Sequence, residues 1–475
     1  MINLILLFPI FACLILCLFK NRVLNNVMLN LYAIVHLAVS SALFFNFDFL
    51  PLWQANKFFA INDLNKIFLF VMSIVFITVA VYNNGYLKND TSLTRKLRHY
   101  TYMVLFFVFS MTGAILSTNL ALTWVFIEGT TLASAYLIYF HKTKHSIEAA
   151  WKYVFICSIG IALAFVGIIL LTVSTGSLNS LFFSDLYANA LTFNQFWLKL
   201  SFVFILFGIG TKMGLAPVHF WLPDAHAEAP SPISALLSAT LLNSAFLMIL
   251  NVFKIMIIAN CDEYARLMLL IMGFLSLFIT AVFVYHINNY KRMLAYSSIE
   301  NMGILAIATS LGGIGIFAAM IHLIGHSLIK ASFFLTSGNI LELYGTKKIK
   351  SVRGLIKKDA KTGWLWVLSF LGIAAFPPSV LFISEFLVVK TMFIANKFIG
   401  CVLFLLLLTI ILYGLGKAVV KMCFSEPIDL VNNEFKQLPW TMYVPQIVLL
   451  VLAFIIGIYM PENLYNVISS ITTGI

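Results

Sequence analysis

The sequence has few charged residues, and this shortage narrows the kinds of protein it can encode. Only 10% of its 475 residues are charged, whereas 61% are hydrophobic, and the mean hydropathy is +0.99. Soluble domains carry roughly 25% charged residues, so the composition excludes a soluble enzyme, a disordered tail and a nucleic-acid-binding domain. The apolar runs are continuous over about 20 residues, which excludes the alternating pattern of a transmembrane barrel and predicts an all-α polytopic membrane protein.

Cysteine is also scarce. The six cysteines form no CxxC pair, and most of them lie inside apolar runs. This pattern excludes a disulfide framework, a zinc ribbon and a cysteine-ligated iron–sulfur cluster. Small buried hydrophobic side chains are the better interpretation. We therefore expect no metal, no cofactor and no redox centre in this chain.

The apolar segments predict about fourteen transmembrane helices, each near the length that crosses ~30 Å of hydrocarbon. The first segment ends before Lys20 and Arg22 and lacks a basic stretch ahead of it, which favours a first span over a signal peptide. The fourteen segments are 2–19, 23–45, 64–86, 102–117, 119–140, 151–173, 198–222, 232–254, 264–287, 293–311, 313–340, 363–395, 398–424 and 440–460.

The basic residues are unevenly divided between the two predicted sides of the membrane. Of the 30 Lys and Arg residues, 21 fall in connections after odd-numbered spans, 7 fall on the opposite side, and Lys212 and Lys330 lie within spans. Cytoplasmic loops are usually the basic ones. We therefore predict a multi-pass protein of the plasma or inner membrane, with both termini outside and the basic loops in the cytoplasm.

Charged residues inside predicted spans are the first functional signal, because a charge at the bilayer centre costs at least ~2.5–3.5 kcal/mol. Glu128 is interpreted either as half of a structural ion pair or as a carboxylate that modulates the proton affinity of a nearby lysine. Lys212 is a candidate proton acceptor, since burial favours its neutral form and a nearby carboxylate favours its charged form. The candidates are Glu128, Lys212, Lys330 and Glu385, with Glu300 as an accessory residue.

Two histidines and a lysine form a second signal. His322, His326 and Lys330 are spaced i, i+4 and i+8, which places them on one helical stripe about 12 Å long. A metal site would need a third ligand, and polar helix packing is a further alternative. A proton relay through water is the favoured interpretation, because imidazole titrates near neutral pH.

Prolines interrupt two of the predicted spans. Pro217 lies in the seventh span near Lys212, and Pro377 and Pro378 lie in the twelfth span near Glu385. Proline removes a helix hydrogen bond, and non-helical backbone at membrane depth persists only inside protein or beside a cavity. The residues after the first break are further accessory candidates, namely His219, Asp224 and His226.

A faint internal repeat accompanies the two breaks. Ile127-Glu128 and Ile299-Glu300 open comparable segments, and each precedes a broken span by about two spans. Such repeats are typical of transporters. The predicted divisions are residues 1–97 with spans 1–3, residues 98–260 with spans 4–8, residues 261–425 with spans 9–13, and residues 426–475 with span 14.

Three longer motifs resemble a known family. They are the run from Gly210 to Ala235 (GTKMGLAPVHFWLPDAHAEAPSPISA), the run from Lys291 to Gly303 (KRMLAYSSIENMG) and the run from His322 to Ala331 (HLIGHSLIKA). The sequence resembles the antiporter-like proton-translocating subunits of respiratory complex I, Mrp-type cation/proton antiporters and membrane-bound hydrogenases. The resemblance implies two inverted five-helix repeats with broken helices at spans 7 and 12.

The resemblance also implies roles for individual residues. Lys212 matches the family's lysine on the first broken helix, Glu128 its partner glutamate, and Glu385 the residue near the outward exit. The stripe from His322 to Lys330 matches the connecting hydrophilic axis. The segment Ser-Ser-Ile-Glu300 resembles component F of hydrogenase-4 more than it resembles the complex I subunits. Two positions depart from relatives that carry basic residues there, Asn243 and Asn301.

The implied function is proton translocation by a membrane subunit of a redox-driven complex. Its expected partners are other membrane subunits of a hydrogenase or complex I-like assembly, peripheral iron–sulfur or nickel–iron subunits, and the lipid bilayer, with no nucleic acid. Such a subunit belongs to an oxidoreductase complex without itself holding a redox centre. The alternatives are an Mrp-type Na⁺/H⁺ antiporter subunit without a redox partner, a passive scaffold whose charges lock helices, and coupling to uptake of inorganic carbon.

Overall fold

A computed structural model describes residues 2–19, 21–46, 57–87, 94–427 and 437–475. Lys20, Lys88 and Lys436, which contribute to the predicted basic side, lie outside the described residues, as does the side chain of Arg95. The described chain is almost entirely helical, and its only strand-like contacts are isolated bridges such as Asn119 with Phe182. The prediction of an all-α fold is confirmed.

Helices of the N-terminal half are α1 (Ile2–Leu18), α2 (Arg22–Phe44), α3 (Asp63–Tyr86), α4 (Thr94–Leu116), α5 (Leu120–Ile138), α6 (Lys144–Ser174), α7 (Phe183–Asn189), α8 (Gln195–Met213), α9 (Leu222–Glu228), α10 (Ser231–Leu236) and α11 (Leu242–Ile258). A π-helical turn at Leu237–Leu241 joins α10 to α11. The remaining helices are α12 (Asp262–Val284), α13 (Tyr290–Leu311), α14 (Ile314–Tyr344), α15 (Leu355–Lys358), α16 (Ala360–Ile373), α17 (Val380–Ile394), α18 (Phe398–Phe424), α19 (Val444–Ile458) and α20 (Glu462–Gly474).

Eleven candidate membrane spans occur among the described residues, by length and apolar composition. They include the 31-residue helices α6 and α14. The most apolar spans expose wide apolar faces, whereas α14 is almost wholly enclosed by other helices. An enclosed helix can carry polar side chains without exposing them to lipid, and α14 is the helix with the His322 stripe.

Small residues bring α6 and α8 into backbone contact. A Cβ atom added at Gly208 would lie 2.5 Å from the carbonyl oxygen of Gly160 and would also contact the backbone of Ala164. Close backbone approach through glycine is typical of helix packing in membranes. This contact fixes the C-terminal turn of α8 against α6 and thereby positions Lys212.

The first break begins earlier than the sequence predicts. Within the predicted span 198–222, α8 ends at Met213, and Gly214 caps it in the left-handed region with φ of +79°. Glycine adopts this conformation without a steric penalty, so Gly214 ends the helix before Pro217 is reached. Helical structure resumes at Leu222, the start of α9.

The second interruption coincides with the predicted prolines. Helix α16 ends at Ile373 and α17 begins at Val380, so Pro377 and Pro378 lie between them. Ser379 caps the start of α17 with its hydroxyl, which also donates to the carbonyl oxygen of Gly372 at 2.9 Å. The side chain of Ser379 thus ties the two short helices together across the interruption.

Candidate functional site: a buried polar axis

Lys212 lies in the last turn of α8 with its side chain fully buried. Its Nζ donates to the Tyr153 hydroxyl at 2.9 Å. That hydroxyl lies 2.6 Å from Oγ of Ser134. A chain of hydrogen bonds therefore runs from α8 through Tyr153 on α6 to Ser134 on α5.

Glu128 does not contact Lys212 directly. The carboxylate is half-buried on α5 and accepts a hydrogen bond from Oγ1 of Thr131 at 3.0 Å. The ion pairs formed among the described residues, within 4.0 Å, do not include one between Glu128 and Lys212. The two charges interact electrostatically, while the hydrogen bond of Lys212 goes to Tyr153.

His322 links α14 to two other helices. Its Nε2 lies 3.1 Å from Oδ1 of Asn301 on α13, and its Nδ1 lies 2.9 Å from Oγ of Ser384 on α17. Ser384 is the neighbour of Glu385 in the sequence. The amide of Asn301 thus holds the imidazole at the junction of α13, α14 and α17.

Lys330 lies two turns further along the same stripe and is fully buried. Its Nζ donates to the carbonyl oxygen of Leu294 on α13 at 2.9 Å. His326 lies between His322 and Lys330 and is also fully buried. The predicted stripe on α14 therefore faces the protein interior along its whole length.

Several buried polar atoms along this stripe have no hydrogen-bond partner among the described residues. Both ring nitrogens of His326 and of His226 are in this state, as is Oδ1 of Asn243. Asn243 still donates to Oγ of Ser327, beside His326, at 2.7 Å. Leaving buried polar atoms unsatisfied costs roughly 1–3 kcal/mol each, and internal water normally provides the missing partners. These atoms, on α9, α11 and α14, are the positions at which internal water would provide the missing partners.

Glu300 and Glu385 meet at a cavity of about 310 Å³. Its wall is formed by α17, by α18 and by the interruption between α16 and α17, with mostly apolar side chains. Glu300 is 6% exposed, and its Oε2 has no hydrogen-bond partner among the described residues. The cavity brings together the carboxylates of α13 and α17, which are 85 positions apart in the sequence.

The accessory candidates occupy different environments. His219 is buried in the turn between α8 and α9. Asp224 contacts both Arg292 and Lys152, the latter at 3.3 Å, in an ion-pair cluster outside the axis. His226 stacks on Phe334 of α14, with ring centroids 4.9 Å apart. Of these three accessory candidates, His226 is the one that the fold stacks directly on the helix carrying the stripe.

Four polar residues of this region were missed by sequence reasoning. Tyr153, Ser134 and Ser384 carry no formal charge, so a search for charges within spans passes over them. Lys291 was assigned to a basic loop, but it is 1% exposed and its Nζ donates to the carbonyl oxygen of Ala229 at 2.5 Å. Its position in the first turn of α13, next to Arg292, gives no sequence signal that distinguishes it from a loop lysine.

The charged side chains of this region are of types that exchange protons. Across the described ranges, no group of three or more His, Cys, Asp or Glu side chains is placed to hold a metal ion. Instead, lysines, imidazoles and carboxylates alternate with hydroxyl and amide groups. Several of these groups lie within hydrogen-bond distance of one another, such as Lys212 with Tyr153 and His322 with Asn301.

Comparison with known proteins identifies the family of the chain. The family model described as "NADH:quinone oxidoreductase/Mrp antiporter, TM" matches residues 117–411. A hydrogenase-4 component F homolog from Methylacidiphilum infernorum is 34% identical over 473 residues, covering 97% of this chain and 96% of the relative. One of the subunits of a Na⁺/H⁺ antiporter from Bacillus subtilis is 26% identical over 358 residues, covering 75% of this chain and 71% of the relative.

A solved structure extends the similarity to the whole fold. A chain of an archaeal membrane-bound sulfane sulfur reductase superposes with a TM-score of 0.88 at 21% identity, covering 100% of this chain and 97% of that chain. At this identity the superposition shows only that the two chains share a fold. The family match and the component F relative show more: the chain is a multi-pass membrane protein that belongs to the NADH:quinone oxidoreductase/Mrp antiporter transmembrane family.

Proposed function

We propose that this chain is a proton-translocating membrane subunit of a redox-driven complex of the hydrogenase or complex I type. The observation that carries the proposal is a set of fully buried polar side chains, Lys212 on α8 and His322, His326 and Lys330 on α14, flanked by the partly buried Glu128 and Glu385. We call this set the buried polar axis. An isolated ionisable group at membrane depth costs free energy. Ion transport best explains why several such groups lie on facing helices.

The proposed mechanism moves protons by changing the charge of successive groups. A proton that leaves Lys212 passes to water, and the loss of the positive charge alters the electrostatic field at the next basic group. The Tyr153 hydroxyl resupplies the lysine by giving up its own proton while it takes one from Ser134. His326 and Lys330 continue the pathway through internal water, and His322 connects it to α17. Glu385 then releases the proton on the outward side.

The fold supports fourteen crossings arranged as two inverted repeats. Eleven of the crossings are the long apolar spans. The other three are α1, the more polar α13, and α16 with α17 counted as one interrupted crossing. Each proposed repeat, spans 4–8 and spans 9–13, has a glutamate on its second helix, Glu128 on α5 and Glu300 on α13. Each also has an interrupted crossing two spans later.

The proposed orientation places the basic loops in the cytoplasm and both termini outside. Lys152 and Arg292 belong to different loops of the predicted basic side, and both contact Asp224. Lys347, from a third such loop, pairs with Glu228 at 3.2 Å. These contacts support the grouping of the three loops at one end of the helix bundle.

The partners we propose are other membrane subunits together with peripheral iron–sulfur or nickel–iron subunits that supply the redox energy. The component F relative, which matches along nearly its whole length, favours a hydrogenase-like assembly. An Mrp-type Na⁺/H⁺ antiporter without a redox partner is the second candidate, supported by the antiporter relative from Bacillus subtilis. Identification of the proteins that co-purify with the chain separates the two candidates.

The direct test replaces Lys212 by alanine in the assembled complex. We expect the Lys212→Ala complex to assemble and transfer electrons but to move no protons when it is reconstituted in liposomes and followed with a pH-sensitive dye. Lys199→Ala is the matched control, because Lys199 lies on the same helix but near its start, where its ammonium lies 5.9 Å from the centre of the Tyr264 ring. Normal proton movement by an assembled Lys212→Ala complex would contradict the proposal.

Lys330→Ala separates transport from a purely structural role of the buried charges. If the charges only locked helices together, this substitution would reduce assembly as severely as proton movement. We expect proton movement to be lost while the yield of assembled complex, measured by size-exclusion chromatography of the same preparation, is largely kept.

A further inference from the structure

The two ring nitrogens of His322 face side chains of different chemical type. Nε2 lies 3.1 Å from Oδ1 of Asn301 on α13, and Nδ1 lies 2.9 Å from Oγ of Ser384 on α17. All three side chains are buried. A neutral imidazole has one donor nitrogen and one acceptor nitrogen, and the hydrogen-bond partners decide which nitrogen carries the proton.

The amide of Asn301 fixes the proton of His322 on Nε2. Its Nδ2 donates to the carbonyl oxygen of Ser297, one turn earlier on α13, at 2.6 Å. The opposite orientation of the amide would place Oδ1 against that carbonyl oxygen, so Oδ1 must point to the imidazole. An amide oxygen only accepts hydrogen bonds. Nε2 therefore has to donate, and it keeps its hydrogen in every state that preserves this contact.

Ser384 behaves differently, because a hydroxyl group both donates and accepts hydrogen bonds. Its Oγ donates to the carbonyl oxygen of Leu381, within α17, at 2.8 Å. In this orientation Oγ accepts a hydrogen bond from Nδ1, and the imidazole is then a cation with two N–H groups. When the hydroxyl turns towards Nδ1, it donates to a neutral ring instead. The rotation of one hydroxyl therefore satisfies both charge states of His322.

We propose that Asn301 and Ser384 are positioning residues that make His322 a one-sided proton acceptor, in which Nε2 stays protonated and Nδ1 gains and loses the proton. The amide of Asn301 is not among the side chains that act as general acids or bases. No proton therefore crosses the ring from α13 to α17. This inference rests on the proposed function, because it assigns the working atom of one member of the buried polar axis.

The hydroxyl of Ser384 closes the proton balance at Nδ1. It gives its hydrogen to Nδ1 and takes one from a protonated water molecule, after which it again donates to the carbonyl oxygen of Leu381. The ring gains the positive charge that the water molecule loses. His322 interacts electrostatically with His326, one turn along α14, and like charges repel strongly in a medium of low dielectric constant. A proton on His322 therefore opposes a proton on His326, and His322 acts on the pathway through its charge.

The test is solid-state nitrogen NMR of the assembled complex in lipid, with isotope-labelled histidine. The signals of His322 are identified by their absence from a His322→Gln complex, and we expect Nε2 to be protonated in the wild type. Two substitutions should have opposite effects. Asn301→Leu removes the acceptor at Nε2 and should change the ratio of the two neutral tautomers about tenfold in favour of a protonated Nδ1. Ser384→Ala removes the partner of Nδ1 and should leave a neutral ring that is protonated on Nε2.

Asn30→Leu is the matched control, because the amide of Asn30 pairs with Asn84 on α3, at 3.0 Å, and not with His322. Its His322 signals should equal those of the wild type. The inference is overturned if the neutral ring of the wild type carries its proton on Nδ1, if Asn301→Leu leaves the tautomer ratio unchanged, if Asn30→Leu changes that ratio equally, or if Ser384→Ala moves the proton to Nδ1.

Proton movement is measured in the same preparations, so that the two proposals fail separately. Normal proton movement with the proton on Nδ1 would remove only the assignment of His322. A complex that moves no protons but holds Nε2 protonated would remove the proposed function and leave the hydrogen-bond assignment intact. If Asn301→Leu fails to assemble, the wild type and Ser384→Ala still decide the question.

Discussion

Tyr153 joins the lysine of α8 to α5, and its hydroxyl is the most informative single group to remove. The substitution Tyr153→Phe keeps the ring that packs 4.9 Å from Trp221, measured between ring centroids, and deletes the acceptor of the 2.9 Å bond from Lys212. It also breaks the contact with Ser134. The change is therefore almost isosteric, and it interrupts the hydrogen-bond chain without leaving a large cavity.

The expected magnitude follows from the type of bond that is lost. A hydrogen bond to a charged group contributes roughly 1.5–3 kcal/mol, and each 1.36 kcal/mol corresponds to a tenfold change in rate. If the protonated form of Lys212 depends on this bond during each cycle, proton movement should fall by about 10- to 150-fold. Assembly should change little, since the ring and its packing remain.

The assay compares Tyr153→Phe with Tyr187→Phe in reconstituted liposomes, at equal amounts of assembled complex. Tyr187 provides a matched control, because its hydroxyl donates to Oδ1 of Asn251 at 3.1 Å and contacts no group of the axis. We expect the control to move protons at the wild-type rate. A Tyr153→Phe complex with the wild-type rate would refute the reasoning that Tyr153 carries protons between Lys212 and α5.

Three further predictions concern other parts of the fold. Asn301→Leu removes the hydrogen-bond partner that lies 3.1 Å from Nε2 of His322. It should slow proton movement roughly 2- to 10-fold without reducing assembly. An unchanged rate would exclude Asn301 from the pathway. Gly208→Val forces α8 away from α6 and should destabilise the complex by at least ~1–3 kcal/mol; an unchanged thermal unfolding midpoint would contradict the close packing. Asp224→Asn removes partly exposed ion pairs and should change the free energy of unfolding by less than about 1 kcal/mol and leave proton movement unchanged; a large loss of transport would place Asp224 in the pathway.

The helical architecture could be predicted well from the sequence, because continuous apolar runs at membrane length leave few alternatives. Helix ends were less predictable. Helix α4 begins at Thr94 and α6 at Lys144, several residues before the predicted apolar segments, since polar residues continue a helix beyond the hydrocarbon. The end of α8 was displaced because Gly214, rather than Pro217, terminates it.

The candidate site could be predicted as far as its charged members. Charges within apolar runs identified Lys212, and helical spacing placed His322 and Lys330 on one stripe, which the structure buries in α14. The uncharged members could not be found in this way. Tyr153 approaches Lys212 across 59 positions of sequence, and no local pattern distinguishes it from an aromatic residue that only packs.

The cavity near Glu385 could not be predicted from the sequence, for a related reason. Glu300 and Glu385 lie on different helices, and the interruption at Pro377 leaves space between them that depends on how α16, α17 and α18 pack. The spacing of residues in a sequence predicts which side chains share one face of a helix. A cavity depends on how several helices pack together, which spacing does not predict.

The most direct test of the hydrated axis is an experimental structure of the assembled complex in lipid, at a resolution that shows ordered water. We expect water molecules within hydrogen-bond distance of the ring nitrogens of His226 and His326, and a continuous series of polar contacts from Lys212 to Glu385. A dry, apolar barrier between Lys212 and His326, or imidazoles that face separate sealed compartments, would contradict proton translocation along this axis.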